Sequence, residues 1–209
     1  GTLFIEKGKP YLVFCHEWIQ VNNGTMELVL MNDDLSALSG TPMTIFKATD
    51  AAWVKKLDQL NGGYITDGPA FYKNLKGELV MLWSSFAKNG YAVGQAVSTS
   101  GKVKGPWKHI DTTLFDSDGG HPSLFTTFDG KLMMSIHQPN KGNIRCHLFE
   151  LEETNIGTLK IKTEKPMDNR PLIQQIDSDI LVEAEDYAEL SKQEKRQWLL
   201  SQKTEHRHF

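Results

Sequence analysis

Two positions in this chain place a titratable side chain where the backbone is tightly constrained. Asp67 lies in Thr66-Asp67-Gly68-Pro69, and His121 lies in Gly119-Gly120-His121-Pro122. A carboxylate set before glycine and proline is suited to acid, base or ligand-binding work, because proline stiffens the chain and glycine admits a close approach. The same aspartate also fits an Asx turn, in which the side chain serves only its own backbone. His121 has the same two readings, a structural hydrogen-bonder or a ligand-facing imidazole. Asp67 precedes the turn glycine Gly77 by ten residues, and His121 precedes Gly130 by nine. This near-register predicts that the two share one mouth.

A third candidate is Glu17, between His16 and Trp18. A carboxyl beside an aromatic is a candidate for a raised-pKa acid, since burial disfavours the charged form. A buried glutamate paired with His16 is the plainer reading. His16-Glu17-Trp18, Ser84-Ser85-Phe86 and His137-Gln138 occupy corresponding places after the three turn glycines and form a second set of candidates. Trp18, Trp83 and Phe86 offer flat apolar faces that suit stacking on sugar rings, although tryptophan in β-proteins more often fills the core. Trp53 and Trp107 read as structural.

The elements that must position these residues repeat. GTLFIEKGKPYLVFCHEW from Gly1, DGPAFYKNLKGELVMLWSSF from Asp67 and GHPSLFTTFDGKLMMSIHQP from Gly120 share one plan: a strand, a turn carrying Gly8, Gly77 or Gly130, and a second strand. The spacing of those glycines leaves room for two more strands per unit. MELVLMNDDL from Met26, YAVGQAVSTS from Tyr91 and RCHLFELEE from Arg145 serve as third strands; TPMTIFKA from Thr41, PWKHIDTTLF from Pro106 and TLKIKTEK from Thr158 serve as fourth. Four antiparallel strands repeated in this way describe the blade of a β-propeller, with a β-sandwich of similar hairpins as the alternative. Three blades do not close a ring, so the sequence reads as about three blades of a larger propeller over residues 1–165.

The 209 residues carry 23 Lys+Arg against 26 Asp+Glu, a formal net charge of −3. No concentrated basic block is present, which argues against a nucleic acid partner. The longest apolar runs fall far short of the roughly 20 residues a membrane-spanning helix needs. Cys15 and Cys146 have neither a CxxC partner nor a metal-ligand spacing and read as small buried residues. No signal peptide is visible at the start. Residues 166–209 change character, with an acidic stretch at Asp177–Tyr187 and a charged end, and read as a linker leading to something further. An open ring exposes strand edges, so self-association, or pairing with missing blades, is expected there.

In TDGPAFYKN, LVMLWSSF, GYAVGQAVS, GPW and GGHPSLFTTFDGKLMMSIHQPN the sequence resembles glycoside hydrolase family 43, five-bladed propeller arabinofuranosidases and xylosidases. The resemblance covers roughly residues 1–150. It implies an inverting hydrolysis of arabinose- or xylose-containing polysaccharides or oligosaccharides, in which one carboxylate activates water and a carboxylic acid protonates the leaving oxygen. It implies the acid position for Asp67, where the family more often has Glu before Gly-Pro. The shorter side chain leaves Glu17 as the other candidate. The base and the pKa-tuning carboxylate would then lie upstream of Gly1.

His121 matches the family's axial histidine, which implies a calcium ion or water held in the channel. His16, Trp18, Trp83, Phe86 and His121 would contact a carbohydrate substrate, and a secreted or periplasmic location follows from the same resemblance. LVEAEDYAEL, in the tail, is similar to the opening strand of a family 6-type carbohydrate-binding module.

Overall fold

The computed structural model describes residues 1–16, 18–58 and 62–165, with the backbone alone for Trp18, Ile19 and residues 163–165. The linker and binding-module reading of residues 166–209 lies outside them, as does Glu17. Among the described residues twelve strands form three four-stranded antiparallel sheets, each wound in chain order. The first holds β1 (Thr2–Glu6), β2 (Lys9–His16), β3 (Thr25–Leu30) and β4 (Met43–Lys47). The second holds β5 (Asp67–Lys73), β6 (Leu79–Ala87), β7 (Gly90–Ser98) and β8 (Trp107–His109). The third holds β9 (Gly120–Thr126), β10 (Leu132–Gln138), β11 (Arg145–Glu153) and β12 (Leu159–Lys165). A single helical turn, α1 (Trp18–Val21), follows β2.

The predicted hairpins form where the glycines stand. Gly8, Gly77 and Gly130 have φ of 76°, 80° and 82°, and a side chain added at any of them would meet nothing within 4 Å. Each is needed for its left-handed backbone and not for lack of room. The fourth strand of the second sheet is shorter than predicted. After His109 the chain leaves the ladder and returns only as a bridge from Phe115 to Val93.

The pleat sorts side chains into two cores. Between the first two sheets lie Tyr11, Val13, Met26 and Leu28 against Leu79, Met81 and Trp83. Between the second and third lie Val80, Leu82 and Val93 against Met134, Ile136, Phe149 and Leu151. Strand β6 therefore feeds both cores, its odd residues to one side and its even residues to the other. Two buried polar side chains bridge the sheet junctions: the Gln95 amide donates to the Leu159 carbonyl and accepts from the Leu159 N–H, both at 2.8 Å, and Thr66 Oγ1 donates to the Thr25 carbonyl at 2.8 Å.

The faces at the two ends of this stack differ. With Phe4, Tyr11 and Val13 turned to the second sheet, the alternation turns Leu3, Ile5, Leu12 and Phe14 the other way, and Leu3 and Ile5 are about half exposed. The third sheet carries ion pairs Lys160–Glu152 and Lys162–Glu150 on its own outward side. Cys146 lies on that side and is exposed, which corrects the expectation of burial. Cys15 is half-buried in β2, and the two cysteines are not bonded to each other.

Candidate active site at the Asp67–His121 pair

Strands β5 and β9 begin with the same irregularity. In β5 the register passes from Asp67↔Ser84 to Ala70↔Leu82, and in β9 from Gly120↔His137 to Ser123↔Ser135, one extra residue on the inner strand in each case. The residue after the first pair is left-handed in both: Gly68 at φ 50° and His121 at φ 57°. Asp67 thus corresponds in register to Gly120, and His121 corresponds to Gly68. The difference of one residue seen in the sequence spacing is this offset.

The two bulges interlock. A Cβ on Gly68 would lie 2.9 Å from His121 Cα and 3.0 Å from its Cγ, so the missing side chain is what lets His121 in. The close approach that Gly68 allows is to His121, not to a ligand as its sequence suggests. A Cβ on Gly120 would run into the Tyr91 ring and come within 2.8 Å of Ser84 Oγ. Ser84, fully buried, accepts the His121 N–H at 2.8 Å and holds the strained residue in place.

Asp67 sits among donors. Tyr91 O–H donates to its Oδ2 at 2.7 Å and Gly68 N–H to its Oδ1 at 2.9 Å, while His121 Nδ1 stands 3.3 Å from Oδ2 and Cys15 Sγ 3.8 Å from Oδ1. Burial pushes the Asp67 pKa up, but the hydrogen bonds from His121, Tyr91 and Gly68, with the His121 charge, outweigh it and leave the carboxyl below its ordinary value. The bond to Asp67 raises the His121 pKa, against its partial burial. Burial first, then the Asp67 charge, raises that of Tyr91. The Tyr91 ring also stacks on His137 at 5.5 Å between centroids and 16° between planes, and His137 Nε2 lies 3.1 Å from Asn140 Oδ1.

Asp67, Tyr91, His137 and Asn140 line an open cleft of about 250 Å³ together with Cys15, Thr66 and Phe86, whereas His121, paired to Asp67, is not among the residues that line it. Phe86 stands half-buried on its wall. Trp83, the other expected stacking face on β6, does not. It is fully buried in the first core, with ring centroids 4.9 Å from Trp53 and 5.2 Å from Phe46, and shows no face to a ligand. Phe86 and Ser84 leave the strand on one side and Trp83 on the other. His16 faces a neighbouring cleft with Phe14, Gln20, Glu27 and Thr44, with Cys15 as the wall between the two. Of Trp18 only the backbone is described.

Tyr91 and Asn140 were not singled out by sequence reasoning. A signal for Tyr91 existed: the Lys88-Asn89-Gly90 turn pairs Tyr91 with Phe86 and brings it to the site end of β7. Asn140 offered none.

Calcium takes six to eight oxygen ligands. Among the described residues no group of three or more His, Cys, Asp or Glu converges as a metal cage, and both Asp67 oxygens already accept protein hydrogen bonds. The described residues alone do not fit that ion.

The family model for glycosyl hydrolases family 43 matches residues 1–161, and the chain belongs to this family. Its three sheets are three blades of a β-propeller. Among solved structures, an endo-arabinase from Bacteroides thetaiotaomicron VPI-5482 is 40% identical, with a TM-score of 0.70 over 74% of this chain and 56% of that one. An alpha-L-arabinofuranosidase from Lactobacillus brevis is 19% identical, with a TM-score of 0.61 over 76% of this chain and 54% of that one, a likeness of fold alone. The chain thus spans a little over half the length of these relatives. No curated protein matches it. Among the described residues no helix is long and apolar enough to cross a membrane.

Proposed function

We propose that the chain carries part of the active site of a glycoside hydrolase acting on arabinose- or xylose-containing polysaccharides or oligosaccharides with inversion, and that the cleft beside Asp67 receives a sugar unit. The observation that carries this reading is the meeting of Asp67 and His121, from two neighbouring blades, at 3.3 Å, with Asp67 lining a cleft that has an aromatic wall. Asp67 occupies the position of the proton donor. To act as one it must take up a proton against three donors that favour its charged form, and substrate entry supplies the means by drying the cleft and raising its pKa.

The test is hydrolysis of nitrophenyl α-L-arabinofuranoside, nitrophenyl β-D-xyloside, arabinan and xylan by this chain and by longer forms of the protein. Activity that falls at least a hundredfold on Asp67→Ala, with the fold unchanged by circular dichroism, supports the reading; absence of hydrolysis in every form overturns it.

A second reading is favoured by the Tyr91, Gly68 and His121 donors around Asp67, which hold its carboxyl below the ordinary value: a carbohydrate-binding propeller without turnover, in which the carboxylate accepts sugar hydroxyls. Sugar affinity that survives Asp67→Asn, with no hydrolysis in any form, would establish it. A secreted or periplasmic location belongs to the enzyme reading. So does a partner sheet against Leu3, Ile5, Leu12 and Phe14 on the first blade, from this protein or from a second copy. Light scattering that shows a monodisperse monomer at high concentration would exclude self-association through that face.

A further inference from the structure

The apolar outward face of the first blade has a carboxyl group set into it. With Met26 and Leu28 turned to the second sheet, the alternation along β3 turns Glu27 outward, to the side of Leu3, Ile5, Leu12 and Phe14. The strand register lays Phe14, Glu27 and Thr44 side by side across β2, β3 and β4. All three line a cleft of about 570 Å³ with His16, Gln20 and Pro42. Glu27 itself is only 7% exposed.

Its two oxygens are used differently. Oε1 accepts the Thr25 hydroxyl at 2.6 Å and the Thr44 hydroxyl at 2.7 Å, which fixes the carboxyl group in the sheet. Oε2 accepts no hydrogen bond among the described residues, and no cationic side chain there pairs with Glu27. Nor is Oε2 sealed from solvent, so it opens on the cleft that Glu27 lines. A bare face leaves that oxygen to water, whereas a sheet laid over Leu3, Ile5 and Phe14 would exclude the water. An unpaired carboxylate beneath such a cover is costly, so the cover must bring a donor of its own.

The walls of the cleft select the donor. Its one buried ionisable group is an acid, the Phe14 ring stands beside it in register, and Gln20 adds an amide oxygen. A guanidinium is always charged, lies flat on an aromatic face, and has N–H groups enough to serve two acceptors. An ammonium is a strongly hydrated point charge that makes less use of the ring. Among the described residues no group of three or more His, Cys, Asp or Glu gathers here to hold a metal ion.

We propose that the cleft at Glu27 is the seat of an arginine side chain carried by a further sheet of the same protein that packs on the outward face of the first blade. The chain spans 56% of its endo-arabinase relative, which leaves length for such a sheet, and the unpaired acid supplies the charge complement. The proposal rests on the reading of this face as covered and adds the chemistry of the cover; no outcome of its test bears on hydrolysis at Asp67.

Titration of the 209-residue chain with ethylguanidinium, ethylammonium and ethylurea at constant ionic strength tests it, followed by the NMR shifts of the Phe14, Glu27 and Thr44 amides. Ethylguanidinium should bind about fivefold more tightly than ethylurea, its neutral counterpart, and more tightly than ethylammonium. Glu27→Gln keeps an oxygen for the two threonines and should abolish the preference over ethylurea. Phe14→Leu should weaken ethylguanidinium about threefold. In a longer form of the protein that carries the covering sheet the seat is filled, and the three amides should not respond. Equal binding of ethylurea, stronger binding of ethylammonium, a preference that survives Glu27→Gln, or silence of the three amides in the 209-residue chain overturns the proposal. A response in the longer form does so too. Self-association that ethylguanidinium reverses, seen by light scattering, would give the seat to a second copy and also overturns it.

Discussion

The bulges that open β5 and β9 have one backbone and opposite contents. Asp67-Gly68-Pro69 presents a side chain at its first position and none at its second; Gly120-His121-Pro122 presents none at its first and an imidazole at its second. Each blade leaves empty the position that the other fills. The carboxylate and the imidazole meet because Gly68 yields space to His121 and Gly120 yields space to Tyr91 and Ser84. The comparison teaches that a repeated fold can build an asymmetric site without a change of backbone, by alternating which position of the same bulge carries a side chain.

The comparison breaks most severely at Gly120. Its neighbour, the Tyr91 ring, is held between the Asp67 hydrogen bond and the His137 stack and cannot swing aside, so Gly120→Ala should destabilise the fold by about 3 kcal/mol. Urea unfolding of the purified variant measures this. Gly68→Ala meets His121 backbone and adds a side chain at a left-handed φ, and should cost about 2 kcal/mol. In a His121→Gly background the contact with the ring vanishes, and part of that cost should return. Full additivity of the two changes would mean the bulges do not interlock.

Tyr91→Phe keeps the stack on His137 and removes the donor to Asp67, for an expected loss of about 1.5 kcal/mol. Gly77→Ala, at a turn with open surroundings, should cost about 1 kcal/mol through φ alone, and Gly77→Asn only a few tenths. A larger loss at Gly77 than at Gly120 would erase the distinction between conformational and steric glycines.

The smallest effect is electrostatic. Asp67 has its pKa lowered on folding, so its contribution is present above about pH 4 and is lost as the pH falls. His121 has its pKa raised, so its contribution is complete below about pH 6.5 and fades as the pH climbs through the folded-state value. The pair therefore supports the fold best between these limits. With the imidazole more than half exposed, it is worth less than about 1 kcal/mol. Subtracting the stability of Asp67→Asn from that of the parent across the pH range should give a shallow maximum near pH 5. In the same variant, NMR titration should move the His121 pKa back toward its ordinary value; an unchanged His121 titration would show that the pair does not couple.

Much of this was legible along the chain. The turns at Gly8, Gly77 and Gly130 and the strands around them follow from local backbone energetics, and the near-register of Asp67 with His121 pointed to a common mouth. Trp83 misled because β6 is buried on both faces: Leu79-Val80-Met81-Leu82-Trp83 has no polar alternation to say which side meets the site. Tyr91 was hidden by its distance along the chain from Asp67, although hairpin pairing brings their side chains together. Cys15 read as mere filling until the first two sheets were placed side by side and its sulfur came to face Asp67.

From the order of residues alone came the repeated strand plan, the places where the chain must turn and the two groups able to do chemistry, because these depend on φ preferences and on apolar alternation within a few neighbours. Only the packing of blade against blade decided that Gly68 and Gly120 are empty so that His121 and Tyr91 can be present, and that Phe86 faces the cleft while Trp83 faces the core. Such outcomes depend on repulsion at contact distance between segments remote in the chain, and no local preference encodes that.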